Sequence, residues 1–397
     1  MTTNHDAPTA HHSEPWHLLQ VSDVLDIEFG SALAEQVPLI AWEPARTYFP
    51  WAASRRPART VSDPPLHIRP FSLMRGYARF PLSAIANTGA MVAAHLARHT
   101  HDAKLSPLIC TTPYLAPVAE RWPGPVIYWL SDRIEKYAGV DESLIHRLDE
   151  RMCRAATLVC PNSVRIADYL SLHGHCSREK LHVLPNATRQ QNLLPSPPLQ
   201  PAEPPADIAD LPRPIAGIIG NLAGNMDWLF VEQLMSLVPQ LTWAFVGPTT
   251  MAIEELVYSE ARNRVMASPQ ARFVGRKPYG ELASYARAFD VAILPYRLCE
   301  PTYSGSSTRF YEHLAACRPM IASKGFAELL LKEPLVRTVN TAEEAARLLE
   351  GLIATNFDDQ LVTLRWAESQ HGTWQARART MREELAARWN PGLAIAS

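Results

Sequence analysis

The sequence predicts an α/β protein built from two Rossmann-like, doubly wound domains, each a parallel sheet with helices on both faces. Three observations carry that reading. Short apolar runs alternate with helix-like segments along most of the chain. The alternation is interrupted once, by the proline-dense stretch LPSPPLQPAEPPADIADLPRP beginning at Leu194. A chain of 397 residues with 47% hydrophobic content can also fill more than one core.

Taken in order, the polar leader (residues 1–15) is expected to be disordered, and His17–Val21, Pro38–Trp42 and Leu66–Phe71 follow as strands. A helix over Leu82–His99 leads to strands at Pro107–Thr111 and Pro125–Leu130. Helix 141–155, strand Thr157–Cys160, helix Ser163–Leu172 and a last strand at Leu181–Leu184 complete the half. Tyr48–Pro64 is aromatic and basic, and reads either as a surface connection or as an acceptor- or membrane-facing loop. The proline density of 194–213 excludes a helix or a central strand and makes that stretch an extended linker.

Beyond it, Ile215–Ile219, Thr242–Val246, Arg272–Val274 and Val291–Pro295 read as strands, with helices near Trp228–Leu237 and Tyr279–Phe289. Residues 342–352 and 357–387 read as largely helical, the last part returning to the first domain. The expected domains are 1–193, 214–370 and a returning helix in 371–397. Paired sheets of this kind place a ligand cleft at the carboxyl ends of their strands.

A net charge of −2 gives no general case for nucleic-acid binding. The six cysteines are scattered without a CxxC pair, as in buried free thiols of a reducing cytoplasm. No apolar run reaches the length of a membrane span, and the start lacks a signal-peptide layout, so a cytoplasmic protein is expected. His99-Thr100-His101-Asp102 and His173-Gly174-His175-Cys176 lack a matching second pair and read as solvated loops rather than zinc sites. Trp228 and Trp243 read as core aromatics, Asp227 and Asp290 as loop or cap residues.

The most informative stretch is YSGSSTRFYEHLAACRPMIAS (303–323). Small hydroxyl residues open a helix that Cys317-Arg318-Pro319 ends before a short strand. A Ser/Gly loop at a helix start gathers unpaired N–H groups, hydroxyls and the positive dipole end, which suits a diphosphate. Arg309 adds a charge-assisted bond and Glu312, one turn on, can accept from a ribose. The same residues also read as an ordinary N-capped helix with a solvent ion pair. No GxGxxG follows a strand (Gly220-Asn221-Leu222-Ala223-Gly224 lacks it), no P-loop motif occurs, and no GxSxG supports a hydrolase.

Several segments in order resemble the GT-B glycosyltransferases, in particular family-4-like enzymes of bacterial surface-polysaccharide assembly. LHVLPNATR (181–189) is similar to the family's V-x-P-N-G-V turn and PIAGIIGNLAGNMDW (214–228) to its G-x-x-G-x-L segment. LTWAFVGP and RFVGRKPYGELASYARAFDVAILPY match its F-x-G…E-L…D-V-x-x-x-P run, and SGSSTRFYEHLAACRPMIAS its S-P-x-K-x-x-E-x-L-A-x-G-x-P-V-V.

The resemblance implies a nucleotide-sugar donor, UDP-sugar favoured, bound without a metal or other cofactor because helix N-termini and cations balance the diphosphate. By position, Ser306, Ser307, Thr308 and Arg309 would hold phosphates, and Glu312 the ribose. Gly275, Arg276 and Lys277 would read the base with Tyr296 lining its pocket, and Gly220 and Asn221 would allow close approach. The implied acceptor is a glycan or lipid-linked saccharide, with peripheral membrane contact and no nucleic acid.

The departures are informative. The first carboxylate of the family's E-x7-E pair is Ser304 here, the basic residues of the first C-domain loop are Asn221 and Met226, and the turn glycine is Cys317. Attention moves to Asp132, just past a strand in YWLSDR, a segment that also resembles the xanthan glucuronosyltransferase and its inverting relatives. Asp132 reads either as the base that deprotonates an acceptor hydroxyl or as a cap or partner of Arg133. Arg133 and Tyr137 are candidates for the acceptor or an acidic sugar. Inverting and retaining courses both remain open, as do a nucleotide-sugar epimerase, a phosphorylase and a non-catalytic nucleotide-sugar binder.

Overall fold

The computed structural model describes residues 14–21, 23–47, 57–61, 65–74, 82–172, 176–251 and 253–389. The first sheet contains β1 (Trp16–Leu19), β2 (Leu39–Thr47), β3 (Arg59–Val61), β4 (Leu66–Met74), β5 (Leu108–Cys110), β6 (Val126–Leu130) and β7 (Leu158–Pro161). Their order is β3-β4-β2-β1-β5-β6-β7. β1 pairs in parallel with β2 and β5, β2 with β4, and β5 with β6, while β3 is an antiparallel edge on β4. β5, β6 and β7 are buried throughout, the pattern of strands covered on both faces.

The second sheet contains β8 (Ile215–Ile219), β9 (Thr242–Val246), β10 (Ala271–Gly275), β11 (Val291–Leu294), β12 (Met320–Ser323) and β13 (Arg337–Val339), ordered β10-β9-β8-β11-β12-β13 and parallel throughout. Aromatic rings sit within its largely aliphatic core. Trp228 and Trp243 are fully buried, and the Phe245 and Phe273 rings stack nearly parallel with centroids 4.3 Å apart. Asp227 caps the helix Trp228–Leu237 by accepting from the Phe230 N–H at 3.0 Å. Asp290 accepts from the Ile215 N–H at 2.6 Å and from Arg213 at 2.8 Å.

The chain divides into two compact units. The first takes residues through Trp129, Arg147–Val159 and the chain from Arg382; the second takes Leu130–His146 and Cys160–Met381. The proline-rich stretch 194–213, expected to connect two domains, lies inside the second unit. Ile208 is fully buried in a cluster with Ile215, Ile219, Tyr285 and Phe289, the Ala202 N–H donates to Arg287 O at 2.8 Å, and Arg272 grips Asp210 through two nitrogens. Proline density excludes regular structure without excluding burial. The last helix, Trp374–Arg388, sends Arg382 to Gln36 Oε1 at 3.1 Å within the first unit.

Three expectations change. Leu181–Leu184 forms no strand; Leu184 makes one bond to Pro161 O, at 2.8 Å, and the chain continues irregularly. Within the stretch expected as a connection, Arg59–Val61 pairs as β3, while 48–56 and 62–64 lie outside the described residues, as do 1–13 of the leader; its last residues are ordered, Glu14 accepting from the His101 and Asp102 N–H groups at 3.0 Å each. Beyond the expected elements lie two four-residue helices, Ala116–Ala119 and Ala327–Leu330, and two longer ones. Val24–Ala34 is started by an Asp23/Asp26 capping box, whereas Leu256–Ala267 buries only Ala261 and Val265, too narrow a stripe to show as periodicity.

Candidate functional site

The helix Thr308–Ala316 starts at the carboxyl ends of β8 and β11, where the strand order of the second sheet reverses. Ser307 is its N-cap, accepting from the Phe310 N–H at 3.3 Å. Cys317 ends it in the left-handed region at φ 60°, where the related motif has glycine. The loop before the helix is fastened from two sides. Asn186 donates its N–H to Ser306 Oγ (3.0 Å) and its amide to Ser306 O (2.8 Å) and Thr308 Oγ1 (3.0 Å). From the other side the Glu328 carboxylate accepts from the Ser307 N–H at 2.8 Å and the Tyr311 hydroxyl at 2.7 Å. Burial, then Glu328, hold that phenol well above its ordinary pKa.

The loop's own polar groups are thus largely spoken for, which leaves Arg309 and the first-turn amides to meet an anion. Arg309 lies across the sheet's switch point: Nη1 donates to the Tyr296 hydroxyl past β11 at 2.5 Å, and Nη2 to Asn221 O past β8 at 3.1 Å. Gly220 makes room for it. At φ +126°, a Cβ there would fall 1.7 Å from Arg309 Nε. Gly247, at φ +151°, in turn admits the Gly220 carbonyl. Gly220, Asn221, Tyr296 and Arg309 therefore come together beside Ser306, Ser307 and Thr308; Tyr296, expected to line the base pocket, bonds to Arg309 instead.

The remaining donor candidates are differently engaged. Glu312 is buried, and its two oxygens accept from the Tyr279 hydroxyl (2.5 Å) and Asn192 Nδ2 (3.0 Å). Lys277 ion-pairs with Asp207 at 2.6 Å, a bond that raises its pKa. Gly275, at φ +73°, faces open space, and Arg276 beside it is exposed. His313, one turn after Arg309, is fully buried with both ring nitrogens unpaired, and burial followed by the Arg309 charge pushes its pKa down to about 3.

A second cluster forms around Asp132, which follows β6. Asn162 donates its amide to Ser131 O at 2.6 Å, Ser163 donates its hydroxyl to Ser304 O, and a Cβ on Gly305 would lie 3.9 Å from Asp132 Oδ1. These contacts bring Asp132 to the loop that leads into the Arg309 helix. Arg133 is committed to Glu135 and stacks over Tyr169 at 3.8 Å, so it braces the segment. Tyr137 is 44% exposed. Ser304, at the position of the family's first carboxylate, donates to Glu300 at 2.7 Å.

Asn186, Glu328, Tyr279 and Asn192 escaped sequence reasoning because each acts from a distant segment, although Asn186 stands in the quoted PNA turn. Among the described residues no group of three or more His, Cys, Asp or Glu could hold a metal ion. The second His pair, 173–175, lies outside the described residues. No described helix is long and apolar enough to cross a membrane.

The fold is of the GT-B class: α/β, with two parallel sheets, as in a series of glycosyltransferases of known structure. One is a sucrose-phosphate synthase from Thermosynechococcus elongatus, with TM-score 0.67 and 15% identity over 94% of this chain and all of that one. Another is Anabaena HepE in complex with UDP-glucose, with TM-score 0.68 and 15% identity over the same shares. A third is the lipopolysaccharide outer core galactosyltransferase WaaB, with TM-score 0.59 and 10% identity over 94% of this chain and 99% of that one. No family profile matches the sequence, and no curated protein matches it.

Proposed function

We propose that this chain is a glycosyltransferase that moves a sugar from a nucleotide donor, UDP-sugar favoured, to a glycan or lipid-linked acceptor in bacterial exopolysaccharide or cell-surface polysaccharide synthesis. The observation that carries this reading is Arg309, held at a helix N-terminus over a glycine at the switch point of a parallel sheet. A guanidinium and helix amides converging there suit a diphosphate leaving group. The UDP and UDP-glucose complexes of HepE support the choice of nucleotide, and WaaB supports the surface-glycan setting.

In the mechanism we infer, Asp132 takes the proton of the acceptor hydroxyl and the oxygen attacks the anomeric carbon. The bond to the diphosphate oxygen breaks on the opposite face, and Arg309 with the first-turn amides receives the departing charge, without a divalent cation. The configuration inverts. A retaining course is the second reading, favoured by Glu300, whose carboxylate reaches Ser304 at the position of the family's first carboxylate.

Thermal stabilisation by UDP, GDP, ADP and dTDP, on wild type and Arg309→Ala, tests the donor site. One nucleotide should raise Tm in the wild type alone; no response to any of them refutes the assignment. The product anomer, read by NMR, decides between the two courses.

A further inference from the structure

At the amino ends of β8, β11 and β12, the end of the second sheet opposite Arg309, lies a cavity of about 680 Å³. Its roof is the extended stretch Pro198–Pro204 and its floor includes Arg213, Asp290, Arg318 and the loop 355–359. The volume falls in the range of small-molecule sites.

Four carboxylates (Glu203, Asp290, Asp358, Asp359) and two arginines (Arg213, Arg318) line it, yet the buried arginine has no hydrogen-bonded carboxylate among the described residues. Asp290 is answered by Arg213 at 2.8 Å, and Asp359 by the fully buried Arg365 through both guanidinium nitrogens. Arg213 and Arg365 also satisfy carbonyls, Ala288 O and Leu335 O. Arg318 is left over. It is 7% exposed, and its Nε donates to Phe289 O at 3.1 Å. Its two terminal nitrogens make no hydrogen bond among the described residues. Glu203 and Asp358 also line the cavity, but both are exposed to water. Burial outweighs every partner and lowers the pKa of Arg318, the mark of an under-compensated charge. Asp290 and Asp359 act on Arg318 only through space, each being bonded to another arginine; a buried cation with no carboxylate of its own is costly, and arginine's parallel N–H pair matches an oxyanion. The wall beside it is also strained: Cys317, Asn356 and Phe357 all have φ between 51° and 60°.

We propose that this cavity is a second ligand site, taking a small phosphorylated or carboxylated metabolite whose oxyanion pairs with the terminal nitrogens of Arg318.

The test is thermal stabilisation by inorganic phosphate, glycerol 3-phosphate and citrate, made in an Arg309→Ala background so that the donor site does not contribute. At an anion concentration one hundred times its Kd, Tm should rise by about 2–4 °C. Phosphate and glycerol 3-phosphate acting alone would assign a phosphate ester, and citrate alone a carboxylate. The rise should vanish in Arg318→Gln. It should also vanish in Val362→Glu, which places a carboxylate on the cavity wall in the first turn of the helix Val362–Ser369 and leaves Arg318 in the sequence. Absence of any rise in the Arg309→Ala protein, or a rise that survives in Val362→Glu, overturns the proposal.

Discussion

Gly220→Ala tests the donor site through geometry. The substitution has two separable costs. At φ +126° an L-residue is strained, a cost of about 1–3 kcal/mol. The new methyl would also fall 1.7 Å from Arg309 Nε and 2.3 Å from its Cζ, so the guanidinium must leave its place. Leaving forfeits the bonds to the Tyr296 hydroxyl and Asn221 O, about 1–2 kcal/mol each. Gly220→Ala should therefore cost roughly 3–7 kcal/mol in urea unfolding, summed from these components. In an Arg309→Ala background only the backbone cost remains. The double mutant should then be about 2–4 kcal/mol more stable than the sum of the single changes predicts. Nucleotide-induced stabilisation should be lost in either single variant and fall no further in the double. Equal costs of Gly220→Ala in both backgrounds would refute the packing argument, because the guanidinium would then not occupy the space.

His313 makes stability depend on pH. Its ring titrates near 6.5 in an unfolded chain but is held to about 3 in the fold, so between those values the unfolded state binds the extra proton. Stability contributed by the neutral ring is full above pH 6.5 and is lost as pH falls towards 3, about 2 kcal/mol of it by pH 5; His313→Gln should flatten the urea midpoint measured between pH 7.5 and 5. His17, pushed down to about 4 by burial and then by His99 and Arg69, adds a loss of the same sign between 6.5 and 4. Asp132→Asn should lower kcat by about 10²–10⁴ while nucleotide-induced stabilisation is retained; turnover at the wild-type rate would remove Asp132 as the base. Transfer activity should persist in excess EDTA, and restoration only by added Mg²⁺ or Mn²⁺ would count against charge balance by Arg309 and the helix amides.

Part of the second sheet was legible because β8 and β11 are wholly buried and β9 is buried after Thr242, so these three stand out as apolar runs between turn residues. The Arg309 helix was legible for a different reason: Ser307 is a strong N-cap beside a basic first turn. What the residues could not show was which polar groups are already satisfied inside the protein. Glu312 has the spacing of a ribose ligand, yet Tyr279 and Asn192, from separate segments, hold both its oxygens. Lys277 sits next to a strand-end glycine, and only the folded course of the proline-rich stretch brings Asp207 to it. Sequence spacing orders side chains along one element, whereas these partners are set by packing between elements.

The double fastening of the Ser306–Thr308 loop has a thermodynamic consequence. Asn186 ties it through three hydrogen bonds, and Glu328 already occupies the Ser307 N–H. The conformational entropy of shaping this loop is therefore spent during folding rather than at the encounter with a ligand. An anion arriving at Arg309 meets a rigid rim whose geometry exists beforehand. Association there should involve little coupled folding, and so a heat-capacity change no larger than the contact area itself requires.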